Sequence, residues 1–313
     1  VVQYYLANFG GRHPAMNGQV HKSLAVRRLL LQRETDDLRS LDVGMSWLNT
    51  LKVLFLRKKD KLYVSLGRKG LVVVSSLLFF RYVIGLPLKN VNLVVVGGWL
   101  PEYAISPVKR TMLVRCFSNI LVETSSLQKE LRSIGLDSDI LVNFRFSEPL
   151  PSKELSSEVG VRLVFCSRVT EDKGIFLAIE LAQVLAKQCV NVTLDVYGPV
   201  AMNISERFNH ALKLSPQVNY KGTYEGEERA VEILSDYDFL VLPTFYPGEC
   251  MPGVVIESFC AGTPVITSDW RHMPELVESG VTGYVCKLST FVNEAAELLC
   301  SISRSSYQQL SLS

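Results

Sequence analysis

The sequence predicts an α/β protein made of two Rossmann-like, doubly wound parallel-sheet domains facing a cleft. Three observations point there. Short apolar or β-branched runs alternate with amphipathic helical stretches along the whole chain. That alternation is interrupted by a Ser-, Pro-, Glu- and Lys-rich stretch, Ser147–Val159, and restarts after it. The 313 residues suffice for two domains of about 150 each. The boundary is placed between residues 150 and 151.

In the first half, Val1–Asn8 reads as a strand and Phe9–Gly18 as a loop rich in Gly, Pro and Asn. Gln19–Gln32 has helical spacing, and Tyr63–Leu66 and Val91–Val96 are short strands, the latter ending in Gly97-Gly98. Asn119–Val122 is a further strand, followed by a helix over Ser126–Ile134 and by Asp139–Val142. After the linker the series is Arg162–Cys166, helix Gly174–Lys187, Val192–Tyr197, helix Ser205–Leu214, Val218–Lys221 and helix Gly226–Ser235. It closes with Phe239–Leu242, helix Gly253–Ala261 and Pro264–Thr267. Ligands of such sheets collect at the carboxyl ends of the strands.

The composition is that of a globular protein, 48% apolar and 20% charged, which excludes a disordered or fibrous chain. The net charge of +2 conceals an asymmetry: residues 1–150 hold 21 Lys and Arg against 11 Asp and Glu, the remainder 12 against 20. A basic first half calls for an anionic partner, either nucleic acid or a membrane face. No nucleic-acid module is recognised, so the expectation is an anionic membrane surface. Arg57-Lys58-Lys59-Asp60-Lys61 beside Leu54-Phe55-Leu56, and Arg27-Arg28 beside Leu29-Leu30-Leu31, suit it.

Seven scattered cysteines without a CxxC pair fit a reducing compartment. No signal peptide is recognised, and the chain begins inside its first strand. The longest apolar run, Leu71–Leu86, falls short of the roughly 20 residues of a spanning helix and contains Arg81, so it is expected to be buried core.

Two segments carry chemistry. In Cys166-Ser-Arg168-Val-Thr-Glu-Asp-Lys173-Gly174 a strand ends, two cations follow five residues apart, and glycine opens a helix. Cations beside a helix N-terminus form an anion site, because free N–H groups and the dipole add to the side-chain charge. In Glu249-Cys250-Met251-Pro252-Gly253-Val254-Val-Ile-Glu257, one carboxylate lies just outside a helix and the other about one turn inside it. Pro252 and Gly253 mark the first turn. Glu257 stands in an apolar stretch and therefore needs a polar partner. The four His (13, 21, 210, 272) lack metal-ligand spacing, so no metal site is expected.

In order, Ser167-Arg168 to Lys173-Gly174, Glu249 to Glu257, Ala261-Gly262-Thr263-Pro264-Val265-Ile266 and Glu275 to Gly280-Val-Thr-Gly283 resemble the motifs of the group 1 glycosyltransferases. These are retaining nucleotide-sugar enzymes of the GT-B fold, and the likeness is nearest to members that build polysaccharides. The resemblance implies an acceptor-side first domain and a donor domain over 151–313. It implies that Arg168 and Lys173 hold the donor diphosphate and stabilise the leaving nucleotide. Glu257 would accept hydrogen bonds from the ribose and Glu249 would face the sugar hydroxyls. Backbone N–H groups of Cys250, Met251, Pro252's neighbours Gly253 and Val254 would cradle phosphate and sugar.

The Glu-Cys-Met-Pro loop departs from the commoner Glu-Gly-Phe-Gly, which leaves the donor sugar open. Asn8 to Gly18 is similar to the first loop of these enzymes, with Gly18 near the transferred sugar, and His13 or His21 are candidates beside it. The implied activity is metal-independent transfer of a sugar from a nucleotide diphosphate to a glycan or lipid-linked acceptor in cell-surface polysaccharide synthesis. No cofactor is required beyond the donor, and the expected location is the cytoplasm or the cytoplasmic membrane face. A nucleotide-sugar epimerase of the same fold would turn over donor without acceptor. A non-catalytic partner protein would do neither.

Overall fold

The computed structural model describes residues 2–11, 18–33, 37–150, 160–188, 191–224, 227–302 and 307–310. His13 lies outside the described residues. The chain divides into two compact units, Val1–Phe144 and Arg145–Ser313.

The strands of the first unit are β1 (Gln3–Ala7), β2 (Leu38–Asp42), β3 (Lys61–Ser65), β4 (Asn90–Val94), β5 (Asn119–Val122) and β6 (Asp139–Ile140). They form one parallel sheet in the order β2-β1-β3-β4-β5-β6. Its helices are α1 (Gly18–Arg33), α2 (Arg68–Val83), α3 (Leu100–Ala104), α4 (Pro107–Cys116) and α5 (Ser125–Ser133), with a 3-10 helix at Trp47–Phe55. β1 lies inside the sheet with Tyr5, Leu6 and Ala7 fully buried, as a near-continuous apolar parallel strand should. β2 escapes sequence reading because it is an edge strand, Leu-Arg-Ser-Leu-Asp, in which only Leu41 is buried.

The apolar run 71–86 departs from expectation. One face of α2, through Leu71, Val74, Ser75 and Leu78, is buried. Val72, Val73, Phe80, Tyr82, Val83, Ile84 and Leu86 are exposed. A helix apolar all round can bury only the stripe that meets its sheet, so the run is core on one side alone. Arg81 is buried and donates from Nη1 to Val53 O (3.3 Å) and Leu54 O, and from Nη2 to Leu56 O (2.9 Å). It ties the end of the 3-10 helix to α2, and burial lowers its pKa.

The second unit contains β7 (Val161–Cys166), β8 (Val192–Tyr197), β9 (Val218–Gly222), β10 (Phe239–Leu242), β11 (Val265–Ser268) and β12 (Gly283–Cys286). Its helices are α6 (Ile175–Lys187), α7 (Ser205–Lys213), α8 (Glu227–Ser235), α9 (Gly253–Cys260), α10 (Met273–Leu276) and α11 (Phe291–Ser301). The sheet is parallel, in the order β12-β11-β10-β7-β8-β9. From β7 the chain winds outward through β8 and β9, then returns to lay β10 on the other side of β7. That reversal makes the C-terminal ends of β7 and β10 the place where a ligand is expected.

β12 and α11 were not expected. α11 buries Phe291, Val292, Ala295, Ala296 and Leu299, a helical stripe that interleaved glutamates make hard to see. The second unit begins at Arg145, ahead of the expected boundary, and Leu150 N–H donates to Cys260 O (2.7 Å). Residues 145–150 therefore pack with the second unit.

Candidate functional site

Two loops meet where the second sheet reverses. After β7, Ser167 N–H donates to Tyr197 O (3.1 Å) and Val169 N–H to Pro199 O (2.9 Å), which holds the backbone on both sides of exposed Arg168. The chain then turns at Gly174, whose φ of +82° and contact with Pro243 exclude a side chain. A Cβ there would fall on the Pro243 carbonyl, so glycine lets the start of α6 lie against the exit of β10. Phe245 N–H donating to Asp172 O (2.7 Å) closes the same contact.

This docking brings Lys173 to Glu249. Lys173 Nζ stands 2.5 Å from Glu249 Oε2, and both side chains are more than nine-tenths buried. Thr244 Oγ1 donates to the same oxygen at 2.8 Å. Trp270 Nε1 donates to Tyr246 O (2.8 Å) and fixes the tyrosine. The Tyr246 ring lies under both cations, 4.9 Å from Lys173 Nζ and 5.5 Å from the Arg168 guanidinium carbon. The strand-end pair and the loop carboxylate, which are 76 residues apart for Lys173 and Glu249, form one cluster.

The loop then passes buried Cys250 and half-buried Met251 and Pro252 into α9, with Pro252 as its N-cap and Gly253 and Val254 in its first turn. Glu257, one turn inside, is buried. The polar partner its apolar neighbours demanded is Arg145: Nε donates to Glu257 Oε1 at 2.6 Å, with side-chain exposures of 3% and 8%. The guanidinium rests on Gly253, where a Cβ would collide with it. Nothing in the sequence motifs marked Arg145, which lies 112 residues before its partner.

Behind this pair, Cys166 Sγ and Tyr224 OH are 2.9 Å apart. Burial pushes the Cys166 thiol up to about 12, partly offset by the Tyr224 hydrogen bond, with the Glu257 carboxylate adding to the rise. Burial, then Cys166 and Glu257, also raises Tyr224. Both groups are neutral at pH 7, so Cys166 does not serve as a thiolate nucleophile.

The remaining expected residues belong to the first unit. Gly18 opens α1 in the first unit, exposed, and a Cβ there would meet open space. His21 lies on α1, half-buried. Lys22 beside it is fully buried, 3.4 Å from Glu123 Oε1, and donates to Val142 O (3.2 Å). Glu123 Oε2 accepts from Gly97 N–H (3.1 Å), so the Gly97-Gly98 loop is anchored by a buried pair that sequence reading did not find. Among the described residues no group of three or more His, Cys, Asp or Glu is placed to hold a metal.

Known structures share this architecture. Anabaena HepE, solved in complex with UDP-glucose, superposes with a TM-score of 0.69 at 16% identity, covering 99% of this chain and 92% of that one. The chain therefore has the GT-B fold. Residues 160–304 match the family model described as "Glycosyl transferases group 1". Over 131 residues it is 28% identical to the amylovoran biosynthesis glycosyltransferase AmsK of Erwinia amylovora, 40% of this chain and 32% of that protein. Over 161 residues it is 29% identical to the alpha-maltose-1-phosphate synthase of Mycolicibacterium smegmatis, 48% of this chain and 41% of that protein. The chain thus spans well under half the length of these relatives. The match over 160–304 covers 145 of the 313 residues and is a likeness to the group 1 glycosyltransferases over that stretch of the second unit.

Proposed function

We propose that this chain transfers a sugar from a nucleotide diphosphate to a glycan or lipid-linked acceptor in cell-surface polysaccharide synthesis, with retention and without a metal ion. The observation that carries the reading is the meeting of Arg168, Lys173, Glu249, Glu257 and the α9 N-terminus at the β7/β10 reversal. In this reading Arg168, Lys173 and the first N–H groups of α9 take the charge of the departing diphosphate. Glu249 Oε2 is held by Lys173 and Thr244, so Oε1 is the oxygen that meets a sugar hydroxyl. The bond from the anomeric carbon to the phosphate oxygen breaks, and the nucleotide leaves with the electron pair. The acceptor oxygen bonds to the same face and gives its proton to the leaving phosphate oxygen, so correct positioning replaces a separate base.

The names of AmsK and of the solved HepE complex support a polysaccharide role and a nucleotide-sugar donor. The test is incubation with a panel of nucleotide sugars and lipid-linked or oligosaccharide acceptors. Acceptor-dependent release of nucleoside diphosphate, an unchanged anomeric configuration by NMR and insensitivity to chelator are expected. Donor conversion to its epimer without acceptor would replace this reading with an epimerase, and no turnover with normal nucleotide binding would favour a non-catalytic partner.

A surface on the first unit favours membrane docking as part of the same reading. No helix among the described residues is long and apolar enough to cross a membrane. Yet Trp47 and Phe55 of the 3-10 helix are 67% and 83% exposed, with Lys52, Arg57, Lys58 and Lys59 exposed around them. Aromatic tips ringed by cations suit an anionic leaflet, here the cytoplasmic face. Co-sedimentation with phosphatidylglycerol vesicles, weakened by Trp47→Ser with Phe55→Ser, is expected; equal binding to neutral vesicles, or none at low salt, would remove the docking.

A further inference from the structure

We propose that Tyr246 is a positioning residue of the donor site, whose ring holds the Arg168 guanidinium ready for the diphosphate while leaving its charge uncancelled. The inference rests on the donor site proposed above and adds to it a residue assigned no role there.

The two cations of the site are held in different ways. Lys173 is locked by a carboxylate: its Nζ stands 2.5 Å from Glu249 Oε2, and the pair is buried. Much of its charge is spent on that partner. Arg168 is exposed, and among the described residues it makes no hydrogen bond and no ion pair. What it has there is the Tyr246 ring, with the centroid 5.5 Å from the guanidinium carbon. An exposed arginine loses rotamer freedom when it takes up a ligand, and a ring that restrains it beforehand lowers that cost. An aromatic ring attracts a cation without neutralising it, so the charge and the donors of Arg168 stay available to phosphate oxygens.

A ring in this role must itself be fixed. Tyr246 N–H donates to Thr244 Oγ1 (3.2 Å), and its carbonyl accepts from Glu249 N–H (3.0 Å) and Trp270 Nε1 (2.8 Å). The tyrosine backbone is thereby pinned between the exits of β10 and β11. Gly248 lies against the ring edge, where a Cβ would stand 2.9 Å from Cε1, closer than a side chain packs. One loop thus carries both the ring that restrains Arg168 and the carboxylate that locks Lys173. The Tyr246 hydroxyl makes no hydrogen bond among the described residues, so the ring carries the role and the phenol oxygen does not.

Isothermal titration of the full chain with UDP, ADP, GDP and the matching nucleosides is compared for wild type and four variants. These are Tyr246→Phe, Tyr246→Leu, Arg168→Gln and the combination of the last two. A cation–π contact at an exposed site corresponds to about two- to fivefold in affinity. Tyr246→Leu should weaken the preferred nucleoside diphosphate by that factor and leave its nucleoside unchanged, which also shows that the unit remains folded. Tyr246→Phe keeps the ring and should bind as wild type does. With Arg168 already replaced, Tyr246→Leu should cost little further. Wild-type diphosphate affinity in Tyr246→Leu overturns the proposal, as does an equal loss in Tyr246→Phe. So does a loss of the same size with and without Arg168, or one shared equally by the nucleoside; each of these leaves the donor site standing. An Arg168→Gln chain that binds diphosphate as wild type does, or a wild type that binds none of the three, refutes the donor site itself and the role of Tyr246 with it.

Discussion

Removing the cation from the Lys173–Glu249 pair should destabilise the second unit measurably. In Lys173→Met the Glu249 carboxylate, 6% exposed, keeps the 2.8 Å hydrogen bond from Thr244 but loses its ion partner at 2.5 Å. Stranding one charge of a buried pair costs about 3–5 kcal/mol, and the surviving Thr244 bond places the expectation near 3. For a unit of this size about 3 kcal/mol corresponds to a fall in Tm of roughly 6–12 °C. The double variant Lys173→Met, Glu249→Gln removes the stranded charge while leaving an oxygen for Thr244, and should regain a substantial part of the loss. Urea unfolding followed by the second unit's transition, read for both variants and for Glu249→Gln, closes the cycle. A Lys173→Met chain within about 0.5 kcal/mol of wild type would refute the burial argument, since that is the range of surface substitutions. So would a double variant less stable than either single one.

Other outcomes follow from the same geometry. Gly174→Ala must adopt φ +82° and place a methyl on the Pro243 carbonyl; it should cost about 1–3 kcal/mol or more by urea denaturation, and an unaffected midpoint would contradict the close approach. Burial pushes the Cys116 thiol up to about 11 and those of Cys166 and Cys286 to about 12. Because the fold favours the neutral thiol, their stabilisation is complete below an unfolded value of about 8.5. It is lost at about 1.4 kcal/mol per thiol per pH unit as pH rises toward the folded values. Urea midpoints should therefore fall steadily from pH 8 to pH 10, and a flat profile would contradict the burial. Arg81→Met removes donors to three carbonyls at the end of the 3-10 helix, so hydrogen exchange over residues 47–56 should accelerate; unchanged exchange would show that the clamp is dispensable.

Much of the site was legible because each piece carries a local reason. Arg168 and Lys173 follow a strand and precede a glycine that only a tight turn requires, and Glu257 is a carboxylate in an apolar helix. Those are short-range signals. Arg145 was not legible: its partner lies 112 residues away, and it belongs to a stretch read as the approach to a linker. Lys22 and Glu123 were missed for the same reason, since a buried ion pair leaves no pattern at either position alone. In the fold, the interior strands stood out by their apolar runs, whereas β2 did not, because an edge strand alternates with polar residues. The run 71–86 misled in the other direction. Hydropathy gives the same value to a residue facing the core and one facing outward, and α2 has both.

The central claim is that the nucleotide-sugar donor binds in the second unit, at the ends of β7 and β10 and the start of α9. Hydrogen–deuterium exchange of the chain saturated with a nucleoside diphosphate, against the unliganded chain, tests it most directly. Slower exchange over residues 166–175 and 248–258 is predicted, with residues 45–60 unaffected. Protection confined to the first unit, with those two segments unchanged, would contradict it.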